Sequence, residues 1–406
     1  MIHVCFGLYD KTGRYSKFTG TAMLSLFENT SADVTVHILH DDTLTQDNRE
    51  KFIYLAGRHA QAVKFYNVEE LCADRLAEMI KLTPQLGIPR LTVGAMYRLL
   101  IPQVLPADID RIIYLDSDII VNLDLNELWQ FNLGEKILAG VPEISAYGNS
   151  DKVRQMFQMC ARGFVRCEDY FNSGVLLIDL NFLRASEETI ADGLKFINQN
   201  PQCAEFLDQD VLNYCFSTAA LKLPAKFDRY VNLIRQEKEP PAKKIYHYAG
   251  GFHGVGVGLD MRDPFNRLWL KYFSKTPWFD EDMFARLCEK FLQAQADLKK
   301  SALNLLAATT EKPRVLVSTD QQLEVLVENF SVREDEEVLI MNHGTPLKSL
   351  IDLMSAQRGK KFFLLMLPNF PFKVLEEAGF VRGEDFFDGL EFLAETYNSY
   401  PFVTAL

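Results

Sequence analysis

The stretch RIIYLDSDIIV, residues 111–121, sets two carboxylates into an apolar run that reads as a buried strand. In a strand, side chains two apart share a face, so Asp116 and Asp118 aim the same way. Two close carboxylates resist ionising together unless a cation or hydrogen-bond donors offset their repulsion. Either something positive belongs beside them, or the strand ends there and water solvates the pair. An EF-hand loop is excluded, because no glycine stands at its sixth position and the flanks are β-like.

On both sides of this stretch, strand and helix patterns alternate. IHVCFGLYD (2–10) predicts a strand opening into the loop YDKTGRYSKFTG, with Gly13 as a turn residue. A helix is expected over TAMLSLFEN (21–29), a strand over DVTVHILHDD (33–42), a helix over 44–59 and a strand over 62–68. TVGAMYRLLIPQVLP (92–106) reads as a helix ending at its prolines. YFNSGVLLIDL (170–180) reads as another apolar strand, 186–199 as an amphipathic helix, and DQDVLNYCF (208–216) as a helix with a polar start. KKIYHYAGGFHGVGVG (243–258) is a strand running into a Gly-rich loop. Such alternation predicts a mainly parallel sheet covered on both faces.

At 406 residues the chain is too long for one ordinary core. Three parts are expected: residues 1–280, a helical linker over 281–312, and a small α/β module over 313–406. That last part holds 8 Lys and Arg against 15 Asp and Glu, much of the acid excess. Its strands are expected in EEVLIMN and KKFFLLML, its helices in PLKSLIDLMSAQ and PFKVLEEAG. The net charge of -12 argues against a nucleic-acid binder, whose affinity would rest on basic surface. No apolar run reaches the roughly 18 residues of a membrane span. MIHVCFGLYD reads as a core strand, not a signal peptide, and seven cysteines without a C-x-x-C pair suit reduced thiols in a cytosol. The expected location is cytoplasmic. In RLWLKYFSKTPWF, aromatic residues interleave with basic ones, so 264–279 is read either as peripheral membrane contact or as a core helix with snorkelling lysines.

Other residues bear on the paired aspartates. In an open parallel sheet, ligands gather at the carboxyl ends of strands, where a D-x-D pair can meet a divalent cation. His247 follows the strand KKIY, and beside two carboxylates it completes a mixed nitrogen and oxygen ligand set suited to Mn²⁺. Taken alone, it is an ordinary structural histidine. Asn172 and Ser173 precede an apolar strand and admit a reading as simple β-edge polarity. The DQD run at 208–210 admits a reading as a helix cap. Arg98 is costly to bury unpaired, so an anion or one of the aspartates is its expected partner.

Taken together, YRLLIPQVLPADIDRIIYLDSDIIV, YFNSGVLLIDL, DQDVLN and HYAG, in this order, resemble the family 8 glycosyltransferases over about residues 1–280. The family includes lipopolysaccharide galactosyl- and glucosyltransferases and glycogenin. The resemblance implies an α/β fold of GT-A type, Rossmann-like, with a mainly parallel mixed sheet. It implies a retaining hexosyl transfer from UDP-glucose or UDP-galactose to a saccharide or lipid-linked glycan. By it, Asp116, Asp118 and His247 hold Mn²⁺, with Mg²⁺ as a substitute, against the donor diphosphate. Ser117 meets the nucleoside through its backbone, and Gly250 lets the backbone approach a phosphate. Arg98, Asn172 and Ser173 match positions at the donor, while Asp208 and Gln209 match those beside the reacting carbon. Gly7, Tyr9, Asp10 and Tyr15 fall in the uridine region, although the loop GLYDKTGRY departs from the commoner shorter acidic loop. His253 stands where the family carries lysine, and no Pro-Trp follows it. Absent a strong nucleophile, same-face substitution is favoured over double displacement. That departure also opens an alternative, a catalytically idle nucleotide- or glycan-binding member of the fold. The sugar, the acceptor and the oligomeric state are not legible in the sequence.

Overall fold

The computed structural model describes residues 1–83, 92–234, 241–249, 263–285, 314–319, 337–341, 345–365 and 370–388. Gly250 and His253 lie outside the described residues. By their contacts, the described residues up to Glu281 form one compact unit and those from Asp282 on belong to a second.

The first unit is built on a sheet of seven strands: β1 (Ile2–Leu8), β2 (Val34–His40), β3 (Ala62–Asn67), β4 (Arg111–Leu115), β6 (Leu138–Pro142), β7 (Phe171–Asp179) and β8 (Ala220–Lys222). Their order is β3-β2-β1-β4-β7-β6-β8. β1, β2, β3 and β4 run parallel, and β7 is antiparallel to both β4 and β6. The sheet is therefore mixed, and it reverses direction of growth between β1 and β4. β5 (Ile119–Val121), β9 (Arg229–Tyr230) and β10 (Ile245–His247) form a second, three-stranded sheet.

The opening stretch is thus two strands. β4 ends at Leu115, β5 begins at Ile119 in the other sheet, and Asp116–Ser117–Asp118 carries the chain between them. The next departure is at the first helix, which starts at Arg14, well before the expected 21. The Asp10 carboxylate causes this, accepting hydrogen bonds from the Tyr15 and Ser16 amides at 2.8 and 3.2 Å. Gly13 takes the left-handed turn at φ 74° that the reversal needs. Residues 93–104 do not form one helix. Tyr97–Leu100 tighten into a 3₁₀ turn ahead of Pro102, which lacks an N–H to continue the ladder.

Residues 264–279 are core. Phe265, Leu268, Trp269, Tyr272, Phe273 and Trp278 are all buried. Trp269 packs on Phe18 of the first helix, and Tyr272 accepts a 2.8 Å bond from Asn29. A methyl on Gly20 would sit 2.1 Å from the Trp278 ring, so that helix approaches through a bare backbone. Of the two readings of 264–279, these buried aromatic side chains fit the core helix and leave none of these six rings and chains to face a membrane. No helix among the described residues is long and apolar enough to cross a membrane.

The second unit is a small α/β module. Its sheet runs β12-β11-β13-β14, all parallel, with β11 Arg314–Ser318, β12 Glu337–Ile340, β13 Lys361–Leu365 and β14 Phe386–Asp388. Val315, Val317, Leu350, Met354, Phe362 and Leu364 make its core.

Candidate functional site

Reversal of strand order between β1 and β4 opens a crevice at their carboxyl ends, the usual ligand position in such sheets. Asp116 and Asp118 lie there. β7 runs back along β4, with Val175 opposite Leu115, so its first residues face the same crevice. The Asp116 amide donates to the Gly174 carbonyl at 2.8 Å.

His247 arrives from the second sheet, where it pairs with Ile119 of β5 and Tyr230 of β9. Its Nε2 lies 3.3 Å from Asp118 Oδ1 and 3.8 Å from Asp116 Oδ2. One ligand atom from each of the three residues falls within 4.8 Å of the others. Two carboxylate oxygens and an imidazole nitrogen suit a divalent cation that accepts mixed oxygen and nitrogen ligands. On the other side of the ring, Nδ1 stands 2.9 Å from Asp228 Oδ1. Burial works against the imidazolium, but Asp228 and Asp118 outweigh it and raise the His247 pKa well above its ordinary value. Burial opposes charge on Asp118 as well, yet His247 holds that carboxyl below its usual range. Gly174 makes the approach feasible, since a methyl there would lie 2.4 Å from His247 Cε1 and 2.9 Å from Asp116 Oδ2.

Arg98 is buried and fully engaged. It donates to Asp116 Oδ1 at 2.8 Å, to Ser173 O and Oγ at 2.6 and 2.9 Å, and pairs with Asp208 Oδ2 at 2.9 Å. The expected acidic partner is therefore two acids. Burial pushes the Asp208 carboxyl up to about 6 despite Arg98. Gln209 accepts at Oε1 from Asn172 Nδ2 and from the Ser173 amide, both at 3.0 Å, and donates from Nε2 to Glu143 Oε1 at 3.3 Å. Asp208 and Gln209 follow Leu207, a non-glycine residue at φ 38°, a strained conformation that the surroundings must hold. Asp210 provides that hold. Its carboxylate accepts from the Phe206 amide and the Tyr170 hydroxyl, both at 2.7 Å.

Arg98, Asp116, Ser117, Asp118, Asn172, Ser173, Asp208, Gln209 and His247 therefore meet at one crevice. Ser117 is buried, with its hydroxyl 2.8 Å from that of Thr19. Gly7 lies next to the end of β1, and a methyl there would strike the Gly94 carbonyl at 2.9 Å. Tyr9 packs beside Gly94, Tyr15 stays partly exposed near the aspartates, and the Asp10 side chain is taken up by the helix start. Sequence reasoning passed over Asp228, Gly174, Tyr230 and Glu143. Glu143 carried a usable signal, an acid directly after the apolar run LAGVP, the same pattern that marks Asp116. Buried, it accepts from Tyr230 at 2.7 Å and Asn172 at 3.1 Å, while its Oε2 has no hydrogen-bond partner among the described residues. Burial pushes its pKa up to about 7.

The profile of glycosyl transferase family 8 matches residues 8–253, more than half of the chain. The chain belongs to glycosyl transferase family 8. This glycosyltransferase is 23% identical over 282 residues to general stress protein A of Bacillus subtilis, covering 65% of this chain and 91% of that protein. It is 28% identical over 244 residues to a lipopolysaccharide 1,2-glucosyltransferase of Escherichia coli, covering 57% of this chain and 64% of that one. A lipopolysaccharide 1,3-galactosyltransferase of Salmonella typhimurium is 24% identical over 266 residues, covering 62% of this chain and 72% of that protein. Among solved structures, galactosyltransferase LgtC in complex with donor and acceptor sugar analogues superposes with a TM-score of 0.54 at 19% identity. That match covers 70% of this chain and 99% of LgtC. At such identity the likeness bears on fold alone, and the family 8 chain has the GT-A architecture.

Proposed function

We propose that this glycosyltransferase moves glucose or galactose from a UDP-sugar to a saccharide or lipid-linked glycan, with retention, and that Asp116, Asp118 and His247 hold Mn²⁺. The observation that carries the reading is the convergence of these side chains from two sheets at the mouth between β1 and β4. The chemistry Mn²⁺ supplies when bound is Lewis-acid stabilisation of the negative charge that builds on the departing diphosphate.

The protein's own groups orient the donor. Arg98 ties Asp116, Ser173 and Asp208 into one rigid constellation, which supports a donor-sugar site between β7 and the helix Asp208–Phe216. Asp208, as a carboxylate, grips sugar hydroxyls. Asn172 and Gln209 brace the opposite side of the pocket. The Gln209 oxygen already accepts from the Ser173 amide and from Asn172, so its lone pairs are engaged and it is a poor nucleophile. This favours same-face substitution. The bond from the anomeric carbon to the diphosphate oxygen breaks as the acceptor oxygen bonds to that carbon from the same side. The acceptor's proton then passes to the departing phosphate.

The test is UDP release from UDP-glucose and UDP-galactose with Mn²⁺, without and with a saccharide acceptor panel. Slow release to water, accelerated by an acceptor, is expected, and Asp118→Ala should lower it at least a hundredfold. Wild-type turnover in Asp118→Ala would remove the metal role. UDP binding without release on any acceptor would make the chain an idle member of its family.

A further inference from the structure

We propose that Asp228 is a positioning residue of the cation site, its carboxylate fixing His247 in the tautomer whose Nε2 lone pair faces Asp116 and Asp118. The inference rests on the proposed cation site and adds a residue to it.

Asp228 precedes β9, whose Tyr230 stands opposite His247 of β10, so the backbone register brings the acid beside the ring. Asp228 Oδ1 and His247 Nδ1 are 2.9 Å apart, and the Asp228 side chain is 1% exposed. With Asp228 ionised, its carboxylate only accepts, and Nδ1 then carries the hydrogen. A neutral ring held this way presents its lone pair at Nε2, the nitrogen 3.3 Å from Asp118 and 3.8 Å from Asp116. Rotation of the ring is resisted by Gly174, which it approaches too closely to tolerate even a methyl, and by Tyr230 with its ring centroid 5.4 Å away.

The remaining oxygen of Asp228 indicates that the charge matters, not only the hydrogen bond. Asp228 Oδ2 is buried without a hydrogen-bond partner among the described residues. An unsatisfied buried acceptor is costly, more so for a charged group. Asparagine in this place could accept from Nδ1–H without bringing a full charge into the core. A carboxylate does what the amide does not, making the imidazole a stronger base and offsetting part of the cation's charge. Asp228 thereby adds a third acid beside His247 to Asp116 and Asp118, a grouping whose negative charge a divalent ion would offset.

The full chain and its Asp228→Asn and Asp228→Ala variants would be titrated with Mn²⁺, with and without UDP. Free Mn²⁺ is read by its paramagnetic resonance signal, and thermal midpoints are taken without metal to establish folding. Asp228→Asn retains an acceptor and should fold, with Mn²⁺ affinity about tenfold lower; Asp228→Ala, if folded, should lose about a hundredfold. Partial rescue by asparagine separates positioning from bulk packing. If wild type binds Mn²⁺ and folded Asp228→Asn binds within threefold of it, the role of Asp228 is overturned while the cation site stands. If wild type itself binds no Mn²⁺, the cation site falls, and this inference with it.

Discussion

Glu143 is a carboxyl group with hydrogen-bond donors on one oxygen and, among the described residues, no hydrogen-bond partner on the other. Its pKa in the folded chain is about 7 against an ordinary 4.5, raised by burial. Between those values the unfolded chain releases this proton and the folded chain keeps it. Stability must therefore fall as pH rises through that window and level off above it. A shift of this size corresponds to roughly 3 kcal/mol in full. Asp208 and Asp210, raised to about 6 and about 7, act in the same direction. Glu143→Gln keeps an acceptor for Tyr230, Asn172 and Gln209 and cannot ionise. Unfolding free energies from urea titrations between pH 5 and pH 8 should therefore decline less in the variant, by roughly 2–3 kcal/mol; identical slopes would mean the carboxyl is ionised throughout.

Strand ends and glycines decide whether the constellation forms at all. A Gly174→Ala methyl would overlap His247 Cε1 at 2.4 Å, and either β7 or β10 must yield. Overpacking of this kind costs about 1–3 kcal/mol. The expected result is a folded protein, by circular dichroism, that binds Mn²⁺ at least tenfold more weakly, since the displaced atoms are those of the site. Unchanged affinity would show that the ring is not held where the strands now place it. The sequence made the outlines of these elements readable: β7 and the helix Asp208–Phe216 follow from apolar runs and a polar start. Arg98 announced itself by being a charge among apolar neighbours. Unreadable were contacts between segments distant in sequence, such as Asp228 on His247, because a lone acid before a two-residue strand has no local signature. The break between β4 and β5 was open to reading as a strand end at the two acids, but not the transfer of the second half to another sheet, since both halves are apolar.

At the scale of the whole chain, metal binding and stability are linked. A cation that binds the folded state and not the unfolded one stabilises by about 2.7 kcal/mol at a hundred times its dissociation constant. For a unit of this size that is a rise of several degrees in the thermal midpoint. Adding Mn²⁺ and UDP should therefore raise the midpoint, and excess chelator should return it to the metal-free value. A midpoint indifferent to both would remove the cation from the description of the fold. The three proposed ligands belong to two separate hydrogen-bonded lattices, Asp116 trailing the large sheet and Asp118 and His247 bordering the small one. An ion seated among them would act as a rivet across that seam. Any force that slid one lattice past the other would then be felt first as lost grip on the donor, long before either lattice began to fray.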